Sequence, residues 1–313
     1  MTATVALTGG TGFVGAAIAH HLSDIGYRLR LLARRPGAVR PLASSVTIPG
    51  ALEDRDSLTR LLEGAELVVH AAGAIKAVDA REFTRVNQDG AAALAEAALQ
   101  AGTRHFVLVS SLAARSPLLS AYAASKHAGE REVLRRLGPA KPTILRPPVV
   151  YGPGDMETLP MFRAARHGIF PILGPPEARL SFIHVGDLAA AVAACLAAPI
   201  QAGGVFEIDD GASNGHGWAE IGAALGAALG RVPRAVQIPR RAVRLAAFAA
   251  LILARLTGRP LMLRPDKVNE LRHPDWVCRD SRLTQNTGWR AKHGLADGFC
   301  DAVAWYKAHG LLN

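Results

Sequence analysis

Cysteine is scarce in this sequence, with only three among 313 residues. Cys195, Cys278 and Cys300 are widely spaced and odd in number, which excludes a disulfide framework and a cysteine-based metal site. We therefore expect reduced, buried thiols, no bound metal and a cytoplasmic protein. We also expect no signal peptide, because the first predicted strand starts at residue 3.

Aromatic and acidic residues are also few. Aromatics make up 5% of the chain, the arginines are dispersed and no nucleic-acid motif occurs, so nucleic acid is not an expected partner. The 26 Asp and Glu residues are outnumbered by 36 Lys and Arg, which gives a formal net charge of +10. This charge favours an anionic partner: a phosphorylated cofactor, an acidic substrate or an anionic membrane surface.

Long hydrophobic runs are missing as well. The most apolar predicted helix covers residues 242–256, and its uncharged run, residues 245–254, is too short for the roughly 20 residues that cross a bilayer. We expect this helix to be buried in a small lobe or at a homodimer contact. The alternative is peripheral contact with an anionic membrane surface. Nearby arginines favour that alternative: Arg231, Arg234, Arg240, Arg241 and Arg259.

Glycine, by contrast, is concentrated in one informative stretch, Thr8-Gly-Gly-Thr-Gly-Phe-Val-Gly15. A short apolar run precedes it and a helical pattern follows it, which is the context that makes such a motif significant. Glycine lets a phosphate approach the backbone, and the helix amino terminus presents free N–H groups to it. Two registers fit, one starting at Gly9 and one at Gly10, and both continue through Gly12 and Gly15. The stretch predicts a dinucleotide site; the alternative is a simple tight turn.

Strands and helices alternate along the first two thirds of the chain. Strands are predicted at residues 3–7, 27–33, 46–48, 66–71, 105–109, 143–145 and 204–208, and helices at 16–26, 54–62, 81–101, 121–137 and within 181–198. Such alternation predicts an α/β fold, a Rossmann-type doubly wound parallel sheet that binds ligands at its carboxyl edge. We expect a dinucleotide-binding domain of residues 1–150 plus about 181–210. A smaller, mostly helical substrate lobe would use about 151–180 plus 211–280, and residues 281–313 would close the fold.

Tyr122 and Lys126 are four residues apart, so they share one face of the helix after the fifth strand. A phenol has a pKa of about 10, and a neighbouring cation is expected to lower it, which suits general acid–base work. Ser111 ends the fifth strand and can hydrogen-bond the same substrate oxygen. A Tyr-x-x-x-Lys spacing alone is mostly structural; its place after a glycine-rich turn and Ser110-Ser111 favours catalysis.

With these motifs the chain resembles the extended short-chain dehydrogenase/reductase family, also called the NAD-dependent epimerase/dehydratase superfamily. Within it the chain is most similar to the 3β-hydroxysteroid dehydrogenase and dihydroflavonol reductase branch. The similarity covers nearly the whole chain. The matching segments are residues 8–15, 70–73, 86–90, 146–155, 182–189, 288–290 and 305–306, together with Ser111, Tyr122 and Lys126.

The resemblance implies a role for each matching residue. Tyr122 would give or take the proton. Lys126 would lower the pKa of Tyr122 and hold the nicotinamide ribose. Ser111, or less plausibly Ser110, would polarise the substrate oxygen, and Asn87 would brace the site. The implied cofactor-binding residues are Gly9, Thr11, Gly12, Phe13, Val14, Leu52, Ala71, Ala72, Gly73, Tyr122, Lys126, Pro148 and Val149.

One departure concerns the choice of cofactor. NAD sites usually carry an acid near the end of the second strand, but none occurs between Asp24 and Glu53, and Arg34 and Arg35 stand at that place. Guanidinium groups pair well with a 2′-phosphate, which predicts NADP(H) rather than NAD(H). The alternative is that both arginines are solvated loop residues. Where the family usually has an acid near adenine, this chain has Ala51, so that contact would depend on Leu52.

The expected reaction interconverts a secondary alcohol and a ketone on a largely apolar cyclic small molecule. A nucleotide-sugar epimerase or dehydratase is the alternative. The short interval from Ser111 to Tyr122 and the Pro147-Pro148 pair argue against it. A third possibility is a non-catalytic NADPH-binding subunit, as in respiratory complex I. By resemblance, a homodimer would form through the helices at residues 81–101 and 121–137.

Overall fold

The computed structural model describes residues 3–138, 142–197, 203–258 and 262–312. Its strands are β1 (Thr4–Thr8), β2 (Arg28–Ala33), β3 (Ser45–Pro49), β4 (Leu67–His70), β5 (His105–Val109), β6 (Pro142–Arg146), β7 (Val149–Tyr151), β8 (Ile169–Ile172), β9 (Arg179–Leu180), β10 (Phe182–His184), β11 (Gly204–Glu207), β12 (Arg234–Gln237) and β13 (Asp275–Trp276).

The helices alternate with these strands. They are α1 (Phe13–Asp24), α2 (Arg55–Leu62), α3 (Ala80–Phe83), α4 (Gly90–Gln100), α5 (Ala121–Leu137), α6 (Leu159–Arg166), α7 (Val185–Ala197), α8 (Trp218–Leu229), α9 (Arg240–Thr257), α10 (Lys267–Leu271), α11 (Arg282–Thr287) and α12 (Leu295–Ala308), with a π-helical turn at Thr84–Asp89 and 3₁₀ turns at Pro36–Ala38 and Leu112–Arg115.

Seven parallel strands form the central sheet in the order β11-β6-β5-β4-β1-β2-β3. The chain order reverses between β1 and β4, and a crevice at such a switch point is where doubly wound sheets bind ligands. In β1 the buried side chains alternate between two cores: Val5 and Leu7 pack in one and Ala6 in the other. Helices α1 and α7 cover the first face, and α2, α4 and α5 cover the second. The predicted Rossmann-type sheet is confirmed.

A third core lies outside the sheet. It joins β7, β10, α6 and α8 to the C-terminal helix α12 through buried aromatic rings. The rings of Phe162 and Phe299 are 5.0 Å apart, and Phe299 lies 5.1 Å from Tyr151. Three small parallel pairs, β7 with β10, β8 with β12 and β9 with β13, extend this part of the molecule. The predicted domain boundaries stay a prediction.

Two expectations are wrong. Cys300 is exposed, whereas Cys195 and Cys278 are buried as expected, and all three are free. Helix α9 is not buried in the small lobe, because most of its large apolar side chains face outward, whereas the homodimer contact expected as the other possibility stays a prediction. Among the described residues, no helix is long and apolar enough to cross a membrane. Arg259, one of the arginines near α9, lies outside the described residues.

Candidate active site

The glycine turn after β1 uses the register that starts at Gly9. Gly9 has a φ of +83°, and a Cβ there would lie 2.5 Å from the Ala72 nitrogen. A Cβ on Gly15 would lie 2.1 Å from the Gly9 carbonyl oxygen. At Gly10 a Cβ would meet only core side chains, the nearest 3.3 Å away on Leu7. Gly9 and Gly15 are therefore required by packing, and Gly10 is not.

Gly12 has a different reason to be glycine. It caps α1 without a side-chain bond, and a Cβ there would meet only the Gly9 oxygen, at 3.4 Å. The first helical bond runs from the Ala16 nitrogen to the Gly12 oxygen, so the amides of Phe13 and Val14 precede it. Space in front of Gly12, with free N–H groups beside it, fits a pyrophosphate at the amino end of a 12-residue helix.

The loop after β4 joins the glycine turn to the catalytic candidates. Ala71 and Ala72 lie against Gly9, and a Cβ on Gly73 would be 3.6 Å from the Lys126 Nζ. Asn87, in the π-helical turn, accepts from the Ala74 nitrogen at 2.7 Å and donates to the Ser125 Oγ at 2.9 Å. This one amide therefore ties the loop to α5.

The remaining cofactor candidates lie around the same edge of the sheet. Leu52 packs on the start of α4, since a Cβ on Gly90 would lie 2.7 Å from its Cδ1. Arg34 and Arg35 are exposed directly after β2, and Thr11 is exposed in the glycine turn. Pro148 and Val149 are half-buried between β6 and β7.

Tyr122 lies in the first turn of α5, where Ser120 caps the helix by accepting from the Ala123 nitrogen at 3.0 Å. The phenol is half-buried, and the Ser111 hydroxyl lies near enough to lower its pKa. Its ring packs edge-on against Phe83 with centroids 5.9 Å apart. The structure therefore brings Ser111 and Tyr122 together as the sequence predicted.

The expected direction of the Tyr122 pKa shift is wrong for the protein alone. The pKa of Tyr122 is raised to about 12, chiefly by burial; the Ser111 hydroxyl acts to lower it and the negative Glu270 to raise it. Burial lowers the pKa of Lys126 to about 8, while Glu130 acts to raise it. The Lys126 ammonium donates to the Val109 carbonyl at 2.9 Å, so a backbone oxygen already accepts from it. Tyr122 is therefore protonated at neutral pH.

A buried carboxylate anchors the helix that carries both catalytic candidates. Glu130 is buried on α5 and accepts from Arg146 Nε at 2.9 Å and from the Ser110 hydroxyl. Because Ser110 is buried and bonded to Glu130, Ser111 is the serine that remains half-exposed next to Tyr122. The pair Arg146–Glu130 fixes α5 against the end of β6.

Two charged residues that were not predicted from the sequence contact Tyr122 and its cap. The Lys267 Nζ lies 4.9 Å from the centre of the Tyr122 ring, and Lys267 pairs with Glu270. Glu270 is buried and accepts from the Ser120 hydroxyl. These side chains come from α10, more than 140 residues further along the chain, and no local pattern marks them.

A separate polar cluster lies where the end of β10, the start of α7 and the segment before α12 meet. Ligand atoms of His184, Asp187 and His293 lie within 4.8 Å of one another. Asp187 already accepts from the Lys292 and His293 backbone nitrogens, at 3.1 and 3.0 Å. The His184 Nε2 lies 3.1 Å from Asp301. These contacts hold the segment before α12 against α7. The expectation that the protein binds no metal stays a prediction.

The comparison with known protein families agrees with this geometry. The model of the NAD-dependent epimerase/dehydratase family matches residues 5–209, which contain the glycine turn, Ser111, Tyr122 and Lys126. The chain belongs to this family. It is accordingly an enzyme that uses a nicotinamide dinucleotide to oxidise or reduce its substrate, as the sequence predicted.

Three similar proteins illustrate the range of the family. The ceramide reductase of Caulobacter vibrioides is 42% identical over 312 residues, covering 98% of this chain and 96% of that enzyme. A 3β-hydroxysteroid dehydrogenase/Δ5→4-isomerase of Mycobacterium tuberculosis is 27% identical over 210 residues, covering 58% of this chain and 57% of that enzyme. The crystal structure of the Bordetella bronchiseptica enzyme WbmG with NAD shares the fold, with a TM-score of 0.76, 22% identity and coverage of 100% and 96%.

Proposed function

We propose that this enzyme is an NADP(H)-preferring reductase that interconverts a ketone and a secondary alcohol on a largely apolar substrate of the ceramide class. The observation that carries the proposal is the protonated Tyr122 phenol, which lies near the Ser111 hydroxyl and on one helix with Lys126. A half-buried acid beside a polarising hydroxyl suits proton delivery to a carbonyl oxygen.

The dinucleotide would bind between the glycine turn and the loop after β4. Amides of Phe13 and Val14 would hold the pyrophosphate, Leu52 would contact adenine, and Lys126 would hold the ribose hydroxyls. When bound, the reduced nicotinamide supplies the hydride that adds to the carbonyl carbon. Arg34 and Arg35 are exposed directly after β2, where their guanidinium groups would pair with a 2′-phosphate. This pairing is the reason for proposing NADP(H).

The chain's own residues would complete the reduction. The Tyr122 hydroxyl donates its proton to the carbonyl oxygen as the alcohol forms, and the Ser111 hydroxyl donates a hydrogen bond to the same oxygen. A pKa of about 12 keeps the phenol protonated over the physiological range, as proton donation to a ketone requires. In the reverse reaction the phenolate would take the proton back.

Three apolar side chains at the edge of the site support an apolar substrate. Ile75, Leu118 and Met156 are 46%, 98% and 50% exposed, and they belong to the loops that follow β4, β5 and β7. The Lys76–Glu157 ion pair, at 2.7 Å, joins the first and third of these loops. The 42% identity to a ceramide reductase favours a long-chain lipid. The cyclic ketone expected from the sequence becomes the second substrate class to test.

The test is NADPH oxidation with three substrate groups: a ceramide whose secondary hydroxyl is oxidised to a ketone, cyclic ketones including steroids, and UDP-sugars. Turnover of the keto-ceramide is expected. Turnover of the cyclic ketones alone would refute the ceramide class, and turnover of UDP-sugars alone would favour the epimerase alternative. The kcat/KM for NADPH should exceed that for NADH, and Arg34→Ala with Arg35→Ala should remove most of this preference.

A tyrosine variant separates the enzyme from the non-catalytic NADPH-binding subunit. Tyr122→Phe should lower kcat by about 10²–10⁴-fold, the usual contribution of a positioned general acid, and leave the Kd for NADPH near its original value. The matched control is Tyr27→Phe, a half-buried tyrosine at the amino end of β2, far along the sheet from the site. Unchanged turnover in Tyr122→Phe would refute the assigned role.

A further inference from the structure

Helix α9 (Arg240–Thr257) presents apolar side chains on two opposite sides. Val243, Ala247 and Ala254 are buried, and the first two pack with Val268 of α10. Leu245, Phe248, Ile252 and Leu256 are 73%, 49%, 59% and 80% exposed. Their spacing of three, four and four residues puts them on one face of an α-helix, opposite the buried side. A contiguous exposed apolar face of this kind marks a binding surface.

The surroundings of this face are strongly basic. Arg240, Arg241, Arg244 and Arg255 on α9 are exposed, and within the described ranges none of these four forms an ion pair. Between Glu220 and Asp266 the sequence has eight arginines and no acidic residue. Apolar side chains flanked by arginines on one exposed helix are typical of helices that lie in the interface of an anionic bilayer.

We propose that α9 is a docking helix that binds peripherally to an anionic lipid bilayer. Its exposed leucines, isoleucine and phenylalanine enter the boundary between headgroups and acyl chains, and its arginines pair with lipid phosphates. A second copy of the chain is a poorer occupant. A symmetric dimer through this face would bring two unpaired arginine clusters together. The proposal goes beyond the reductase, because lipid binding needs neither substrate nor cofactor.

The inner side of α9 connects this surface to the candidate active site. α9 packs on α10, which carries Lys267 above the Tyr122 ring and Glu270 on the Ser120 cap. The docking face therefore lies one helix away from the segment that contacts the catalytic tyrosine.

The test is co-sedimentation of the purified full-length chain, without cofactor, with vesicles rich in phosphatidylglycerol and with vesicles of phosphatidylcholine alone. We expect binding to the anionic vesicles, weakened by high salt. Ile252→Gln with Leu256→Gln should abolish most of it. Each arginine-to-glutamine change at Arg244 or Arg255 should weaken the partition coefficient about fivefold. Matched controls are Ile25→Gln, 52% exposed after α1, and Arg28→Gln, exposed at the start of β2.

Light scattering coupled to gel filtration measures the oligomeric state and so tests whether a second copy of the chain, not a bilayer, covers α9. If α9 is instead a contact between copies, the original chain is dimeric and the double variant Ile252→Gln with Leu256→Gln is monomeric. In that case neither the original chain nor the variant binds vesicles, and this outcome overturns the proposal. Equal binding by the α9 variants and the controls also overturns it. Thermal unfolding of each variant shows that the altered chains are folded, which we expect because the substituted side chains are exposed.

Discussion

The glycine turn offers a substitution pair that separates packing from ligand binding. In Gly15→Ala the new Cβ would lie 2.1 Å from the Gly9 oxygen and 2.5 Å from its carbonyl carbon, so backbone must move. In Gly12→Ala the nearest atom is 3.4 Å away, and φ of −91° with ψ of 168° suits alanine. Overpacking predicts a loss of about 2–3 kcal/mol in the free energy of unfolding for Gly15→Ala. For Gly12→Ala we expect less than about 1 kcal/mol.

The order of these variants by affinity for NADPH should differ from their order by free energy of unfolding. The methyl group of Gly12→Ala would stand where the phosphate approaches the helix amides. We expect the Kd for NADPH to rise about 10- to 100-fold, the equivalent of one lost hydrogen bond to a charged group. Gly10→Ala is the control, because its Cβ points at Leu7 and Leu31 in the core. Urea unfolding followed by circular dichroism gives the stability, and calorimetric titration gives the Kd. A folded Gly12→Ala that binds NADPH normally would refute the assigned phosphate site.

Three further predictions concern charged and titrating groups. Glu130→Gln breaks a buried ion pair and should cost about 3–5 kcal/mol in urea unfolding. Glu132→Gln breaks ion pairs of a half-buried, partly solvated carboxylate on the same helix and should cost at most about 1 kcal/mol. Glu270→Gln removes a charge that raises the pKa of Tyr122, so the alkaline decline of kcat/KM for ketone reduction should move to lower pH; an unmoved profile would contradict this. Burial and the Lys126 charge lower the pKa of His70 to about 3. The unfolded chain therefore binds a proton there from pH 6.5 downward that the folded chain does not. As the pH is lowered from 6.5 to 3, the free energy of unfolding should decrease by up to about 1.4 kcal/mol per pH unit. His70→Gln should reduce this dependence on pH.

Local patterns were sufficient to predict the strands of the central sheet and to indicate candidate residues for the site. A strand, a glycine turn and a helix are defined by near neighbours, so residues 8–15 indicated a dinucleotide site directly. Helical spacing likewise put Tyr122 and Lys126 on one face. The direction of the Tyr122 pKa shift could not be predicted, because it depends on burial and on Glu270, which only folding brings near.

By itself the sequence determined the seven strands of the central sheet, their alternation with helices and the family, because these follow from residue type and short spacing. Only the tertiary structure decided between the Gly9 and Gly10 registers, since the answer lies in how closely Gly15 approaches Gly9. It likewise decided which side of α9 is exposed. An apolar helix has no fixed partner in sequence, and its burial depends on which surfaces the rest of the chain brings to it.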